Sequence, residues 1–179
     1  RQAMPMSEIT ATNPNTIYAA AKVAETALAT GWAKKYERPI VSIRPFSVTG
    51  PGEQERHLIP VLIKSALTGQ PMTLDPYPSH DYIDIRDVVS TVIKLENKAK
   101  SNKGEIYNVG SGEQYSNRAV CKIVEDLTGK KINFEEKTKL RSYDYGSWVA
   151  DNSKLKDLGW SPKHSLRDSI SDMIKEYDQ

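Results

Sequence analysis

Asn13–Tyr36, NPNTIYAAAKVAETALATGWAKKY, reads as one long helix with a Tyr and a Lys one turn apart near its start. Ile17, Ala20, Ala21, Ala24 and Leu28 recur at helical spacing, which predicts a buried face. Asn15 or Thr16 can cap the first turn, just after a Pro that favours an extended approach. Tyr18 and Lys22 stand at i and i+4, so both project from one side of the helix. A free phenol titrates near pH 10 and is a poor base at neutrality; moving it about three units requires roughly 4 kcal/mol. An ammonium about 4 Å away, at an effective dielectric of about 20, supplies roughly that much. A Lys beside a Tyr can therefore make a general base, one that takes a proton from a sugar or alcohol hydroxyl while hydride leaves the same carbon. No side chain accepts hydride, so this chemistry implies a nicotinamide cofactor. In a chain of this composition about one Tyr-x-x-x-Lys arises by chance, and the surrounding sequence has to decide.

Outward from the helix, the chain alternates. Ile40–Ile43 is a β-branched run suited to a strand buried on both faces, and SVTGPGE after it is a Gly/Pro loop. A loop at the carboxyl end of a strand is a plausible ligand rim in an open α/β sheet. Ile59, Leu62, Ile63, Ala66 and Leu67 mark a second helix ended by Gly69; Met72–Leu74 is short and extended, and DPYPSH is a loop. Tyr82, Ile83 and Ile85 suggest another strand, with Asp87 capping a third helix through Val88, Val92 and Leu95. Ile106–Val109 is a strand running into Gly110-Ser111-Gly112, which lacks the third Gly of a dinucleotide fingerprint and reads as a turn. Ser116 caps a fourth helix stopped by Gly129, Ile132–Phe134 is a strand, and Trp148–Ala150 is extended. Ser153–Leu158 is a short helix, and Ser165 caps a last amphipathic one. Helices alternating with short strands predict an α/β fold with parallel pairing.

Composition narrows the function classes. The chain has 179 residues, 38% hydrophobic and 27% charged, with a formal charge of +2. That describes a folded protein, and the scattered positive charge argues against nucleic acid. The basic stretch Lys94–Lys103 reads as a solvated helix end. Cys121 is the single Cys, so an internal disulfide and a C-x-x-C site are excluded. His57, His80 and His164 lack ligand spacing, and no metal site is expected. No stretch approaches the roughly 18 apolar residues of a membrane span, no signal peptide opens the chain, and a cytoplasmic setting is the expectation.

The order of motifs resembles the extended short-chain dehydrogenase/reductase family, specifically its NAD-dependent nucleotide-sugar epimerases and dehydratases. Pro5-x-x-Glu8, Pro14 and Tyr18-x-x-x-Lys22 are similar to that family's run into its active-site helix. Arg44-Pro45-Phe46-Ser47-Val48-Thr49-Gly50-Pro51-Gly52 resembles its strand-end motif Arg-x-x-Asn-x-Tyr-Gly-Pro. Leu58-Ile59-Pro60 with Ala66-Leu67-x-Gly69-x-Pro71 resembles its next helix. Asp81-Tyr82-Ile83-x-Ile85-x-Asp87-Val88, Tyr107-Asn108-Val109-Gly110, and Asp151-x-Ser153-Lys154 with Leu158-Gly159-Trp160-x-Pro162 follow in the family's order.

The resemblance implies the C-terminal part of a Rossmann-like parallel sheet with its active-site helix over residues 1–50. Residues 51–179 would then be mainly a small α/β substrate-binding region, with segments returning to the sheet. It implies NAD (or NADP) as cofactor and a nucleotide-sugar substrate, with Tyr18 as acid/base and Lys22 lowering its pKa and bonding the nicotinamide ribose. Phe46 and Ser47 would border the cofactor, and Ser47, His80, Asn108 and Arg141 the substrate. The 13–36 helix would pack in a homodimer. Several positions depart from the family pattern. Ser47 replaces its Asn, Thr49 its Tyr, and His80 an Arg that holds the diphosphate; Gly146 and Ser147 replace basic residues. A neutral His is a weaker phosphate partner than a bidentate Arg. The family's opening strand, Gly-rich turn and helix are not in this sequence, nor is the Ser/Thr about two dozen residues before the Tyr. The expectation is therefore the C-terminal half of a longer protein, binding NAD poorly by itself. Epimerase and 4,6-dehydratase stay open, as do a ketone or sugar reductase of the same fold and a non-catalytic binding protein on that scaffold.

Overall fold

The computed structural model describes residues 4–138 and 147–177. The opening helix, α1, spans Ile17–Lys35, with the Thr16 hydroxyl accepting from the Ala19 amide. Strands β1 (Ser42–Pro45) and β2 (Ser47–Thr49) follow, then helix α2 (Leu58–Thr68) and strands β3 (Met72–Leu74), β4 (Ser79–His80) and β5 (Tyr82–Asp84). Helix α3 (Ile85–Glu96), strands β6 (Ile106–Val109) and β7 (Tyr115–Ser116), and helix α4 (Asn117–Thr128) come next. Strand β8 (Phe134–Glu136) and helices α5 (Ser153–Asp157) and α6 (Leu166–Tyr177) complete the order. Three pairs are parallel, β1 with β6, β2 with β5 and β3 with β8, and β4 with β7 is antiparallel. The expected α/β class with parallel pairing is what the chain forms. Among the described residues no helix is long and apolar enough to cross a membrane.

Two apolar cores flank strand β5. One gathers Ile59, Leu62 and Ile63 of α2, Val120 and Val124 of α4, and Ile170 and Met173 of α6. The other gathers Ile83, Val88, Leu95, Tyr107, Val109, Leu155 and Trp160, with Val41, Ile43 and Val48 packed against it. Side chains alternate along a strand, so Tyr82 enters the first core and its neighbour Ile83 the second. Each fully buried Ile or Leu contributes about 1.5–3 kcal/mol. Gly69 and Gly129 end α2 and α4 in the left-handed conformation, at φ 71° and 67°. At α6, the Ser165 amide and hydroxyl donate to the Asp168 carboxylate, and the Asp168 amide donates back to the Ser165 hydroxyl.

Several elements differ from the sequence expectation. The face of α1 predicted to be buried is exposed: Ile17 is 92% and Leu28 73% accessible. Ala19, Val23, Thr26, Thr30 and Ala33 turn inward instead. The period was legible, but Ala and Thr do not announce which stripe is covered. The first strand starts two residues later than Ile40 and is half-buried, because it is paired along β6 only. The rim loop begins as strand β2, recruited by pairing with β5. DPYPSH ends in β4, paired with Tyr115–Ser116. The strand near Phe134 lies at 134–136 rather than 132–134. Helix α3 is capped by Asp84, not Asp87: the Asp84 carboxylate accepts from the Arg86 amide at 2.8 Å, while Asp87 is buried inside the first turn.

Candidate active site

β1 and β2 are one extended run that changes partner. The Phe46 amide donates to the Val109 carbonyl at the end of β6, and the next amide, Ser47, donates to the Asp81 carbonyl just before β5. The sheet thus opens at Phe46–Ser47. Ligands of open parallel α/β sheets bind at such switch points, beyond the carboxyl ends of strands. Helix α1 packs along β1. Its first two turns carry Tyr18, 73% exposed, and Lys22, whose Nζ lies 5.9 Å from the Tyr18 ring centroid. The Tyr18 hydroxyl makes no hydrogen bond to another described residue. The Lys22 ammonium is instead bonded to Glu25 Oε2 at 2.7 Å, and this bond raises its pKa. Glu25, at i+3 from Lys22, is a partner that sequence reasoning missed, although helical spacing could have found it. In the structure as it stands the ammonium is hydrogen-bonded to Glu25 and not to the phenol.

Three of the four predicted substrate residues lie on strands β2, β4 and β6. Ser47 begins β2, half-buried. His80 sits on β4 opposite Tyr115, with its ring edge-on to Tyr82 at 6.1 Å between centroids. Asn108 is 3% exposed, and its Nδ2 donates to the Met6 carbonyl at 2.8 Å. Its amide donates to Glu8 Oε1 at 2.8 Å, and Arg44 Nη1 donates to the Glu8 carbonyl. Here Asn108 clasps the segment that leads into α1. Arg141 lies outside the described residues.

Of the carboxylates in SHDYIDIRDVV, the sequence reading gave only Asp87 a role of its own, as a helix cap, and in the structure each is a junction. Asp81, with no exposed surface, accepts the Ser111 amide and hydroxyl on Oδ1 at 2.7 and 2.6 Å, and the Gly112 and Ala150 amides on Oδ2, both at 3.0 Å. Asp84 accepts from Arg86 and the Ser169 hydroxyl. Burial pushes the Asp84 carboxyl up, but the Arg86 and Ser169 bonds outweigh that and hold it at about 2. Asp87 accepts the Lys163 and His164 amides and faces His164 Nδ1 at 3.1 Å. Among the described residues no group of three or more His, Cys, Asp or Glu could hold a metal ion.

Residues 1–110, with the Tyr-x-x-x-Lys helix, both strand ends and the aspartate run, match the model of the NAD dependent epimerase/dehydratase family. The chain belongs to that family. Among its relatives, the UDP-glucose 4-epimerase of Lactobacillus helveticus is 30% identical over 188 residues, covering 93% of this chain and 56% of the relative. The dTDP-glucose 4,6-dehydratase of Xanthomonas campestris pv. campestris is 28% identical over 187 residues, covering 96% and 52%. The solved UDP-glucose 4-epimerase of Thermus thermophilus, in complex with NAD, superimposes with a TM-score of 0.82 at 26% identity, covering 96% and 57%. The chain spans about half the length of the curated relatives it matches. These family members are NAD-dependent enzymes, and the Rossmann-like assignment of the parallel strands follows from the shared fold.

The donors of α1 fit one end of such a cofactor. An exposed phenol with no hydrogen bond to another described residue, and an ammonium one turn on, suit a nicotinamide ribose beside a reacting hydroxyl. The sequence holds no three-glycine turn to cradle a pyrophosphate.

Proposed function

We propose that the protein to which this chain belongs is an NAD(P)-dependent nucleotide-sugar epimerase or 4,6-dehydratase, and that Tyr18 and Lys22 are its acid/base pair. The observation that supports this reading is the placement of the pair. A free phenol and a neighbouring ammonium share one side of a helix packed beside the strand whose end opens the sheet. Bound NAD supplies the hydride acceptor. Tyr18 takes the proton of the sugar hydroxyl as that carbon is oxidised and returns a proton when it is reduced. Lys22, released from Glu25, stabilises the phenolate and holds the ribose. Phe46 and Ser47 border the cofactor, and Ser47, His80, Asn108 and Arg141 border the nucleotide sugar. Residues 1–50 belong to the cofactor side and most of 51–179 to the substrate side. The exposed Ile17, Leu28 and Trp32 of α1 support a homodimer through this helix.

The test is Tyr18→Phe in the full-length protein, assayed with UDP-glucose and related sugar nucleotides. General acid/base catalysis of this kind contributes roughly 10²–10⁴-fold, and a loss of that size in kcat with substrate KM little changed is expected. Unchanged turnover would refute the pair. Net NAD(P)H consumption by the wild type would mark a reductase instead, and binding without turnover a non-catalytic scaffold.

A further inference from the structure

Asp81 bonds both strand-end loops and Ala150, the residue that bridges to the chain leading to the helix. Its carbonyl takes the Ser47 amide, where the sheet opens. Its carboxylate takes two amides and a hydroxyl of the Gly110–Gly112 turn that follows β6, and also takes the Ala150 amide. Ala150 forms a parallel bridge with Met6; the Met6 amide donates to the Val149 carbonyl at 2.8 Å, and the Met6 carbonyl accepts from Asp151 and from Asn108 Nδ2. Glu8 then anchors to Asn108 and Arg44, and the chain runs on to Thr16 and α1. Asp81 therefore ties the Ser47 rim and the Gly110–Gly112 turn to Ala150, which bridges to Met6, alongside the direct bonds that Asn108 and Arg44 make to the same segment.

We propose that Asp81 is a positioning residue: it sets the Ser47 rim and the Gly110–Gly112 turn against the Met6–Glu8 segment, and so sets where the Tyr18 helix stands relative to a bound substrate. This rests on the assignment of Tyr18 as the acid/base. An amide cannot replace this carboxylate. Both of its oxygens accept main-chain N–H groups, so one end of an amide must set donor against donor in either orientation. A misplacement of about 1 Å in a catalytic constellation costs on the order of 100-fold in rate.

The experiment compares Asp81→Asn with Asp87→Asn in the full-length protein. Asp87 is a similarly buried carboxylate accepting two amides, but its carboxylate ties α3 to Lys163–His164 rather than to Ser47, the Gly110–Gly112 turn or Ala150. Asp81→Asn is expected to lower kcat on the sugar nucleotide at least about tenfold with KM and NAD affinity within about threefold, whereas Asp87→Asn lowers the melting temperature but leaves kcat within about twofold. Hydrogen exchange gives a readout independent of turnover: Asp81→Asn should speed exchange at Met6 and Ser47 as well as at Ser111, Gly112 and Ala150. Exchange confined to the last three, kcat within about twofold of wild type, or a parallel kcat loss in Asp87→Asn would overturn the proposal. If Asp81→Asn does not fold, Ser111→Ala removes one of the four bonds to the Asp81 carboxylate, together with the local bonds of the Ser111 hydroxyl to Glu113. It should then show the same kcat loss and the same remote exchange at a smaller amplitude, and their absence overturns the proposal. A wild type that turns over no sugar nucleotide defeats the functional reading alone, and the exchange pattern still decides the role of Asp81.

Discussion

Gly110→Ala is the sharpest single-atom perturbation this fold offers. A Cβ at position 110 would stand 2.5 Å from the Ala150 Cβ, 2.6 Å from Asp81 Oδ2 and 3.1 Å from Asp81 Cγ. Neither neighbour can retreat. Ala150 is held through its own amide, and Asp81 Oδ2 is pinned by the Gly112 and Ala150 amides. Overpacking of this kind costs about 1–3 kcal/mol. Displacing the carboxylate from one charge-assisted bond adds about 1.5–3 kcal/mol, for a total of about 2.5–6 kcal/mol. At about 2–4 °C per kcal/mol for a protein of this size, the melting temperature should fall by about 5–24 °C. Circular-dichroism melts measure it, with Gly31→Ala as the counterpart. Gly31 is helical with nothing within 4 Å of a built Cβ, so that change should stabilise by up to about 1 kcal/mol. A Gly110→Ala variant within about 1 kcal/mol of wild type would show that the turn, Asp81 and Ala150 are not the rigid junction described.

Two further outcomes follow from the electrostatics and from the cofactor site. The Asp84 carboxyl is depressed in the folded state to about 2, so its stabilisation is complete above its unfolded value near 4 and is lost as pH falls from there toward 2. After discounting for solvent around the half-exposed Arg86 head, that loss is about 1–2 kcal/mol. Urea titrations between about pH 5 and 2 should show it, and Asp84→Asn should flatten that segment of the profile; an unchanged slope would refute the assignment. For the cofactor, isothermal titration of the 179-residue chain with NAD should give no micromolar affinity, because the sequence holds the proposed ribose-side donors without a three-glycine turn to cradle a pyrophosphate, and a micromolar dissociation constant would contradict that.

Much of the fold was legible because local chemistry announces it. Gly69 and Gly129 stop helices where a left-handed residue continues the chain, Ser116 and Thr16 supply caps, and Ile106, Tyr107 and Val109 are residue types that favour a strand. The pair Tyr18 and Lys22 was legible for the same reason, since i,i+4 geometry belongs to the helix alone. The errors fall where a partner decides. β2 and β4 are strands of three and two residues that exist because Tyr82–Asp84 and Tyr115–Ser116 lie alongside. Asp84 and Asp87 are both good caps by type, and the difference is that Asp87 is consumed by Lys163 and His164, more than seventy positions away.

By itself, then, the sequence determined the class of the fold, the helix ends and the chemistry available on α1, because propensity, capping and periodicity act within a few residues. The tertiary structure alone decided which stripe of α1 faces inward, that Lys22 rests on Glu25, that Asn108 clasps Met6, and that Asp81 gathers Ser111, Gly112 and Ala150 on one buried carboxylate. Those outcomes depend on groups brought together from about 30 to 100 positions apart, or on a choice among rotamers, and a buried carboxylate is tolerated only where enough donors converge on it.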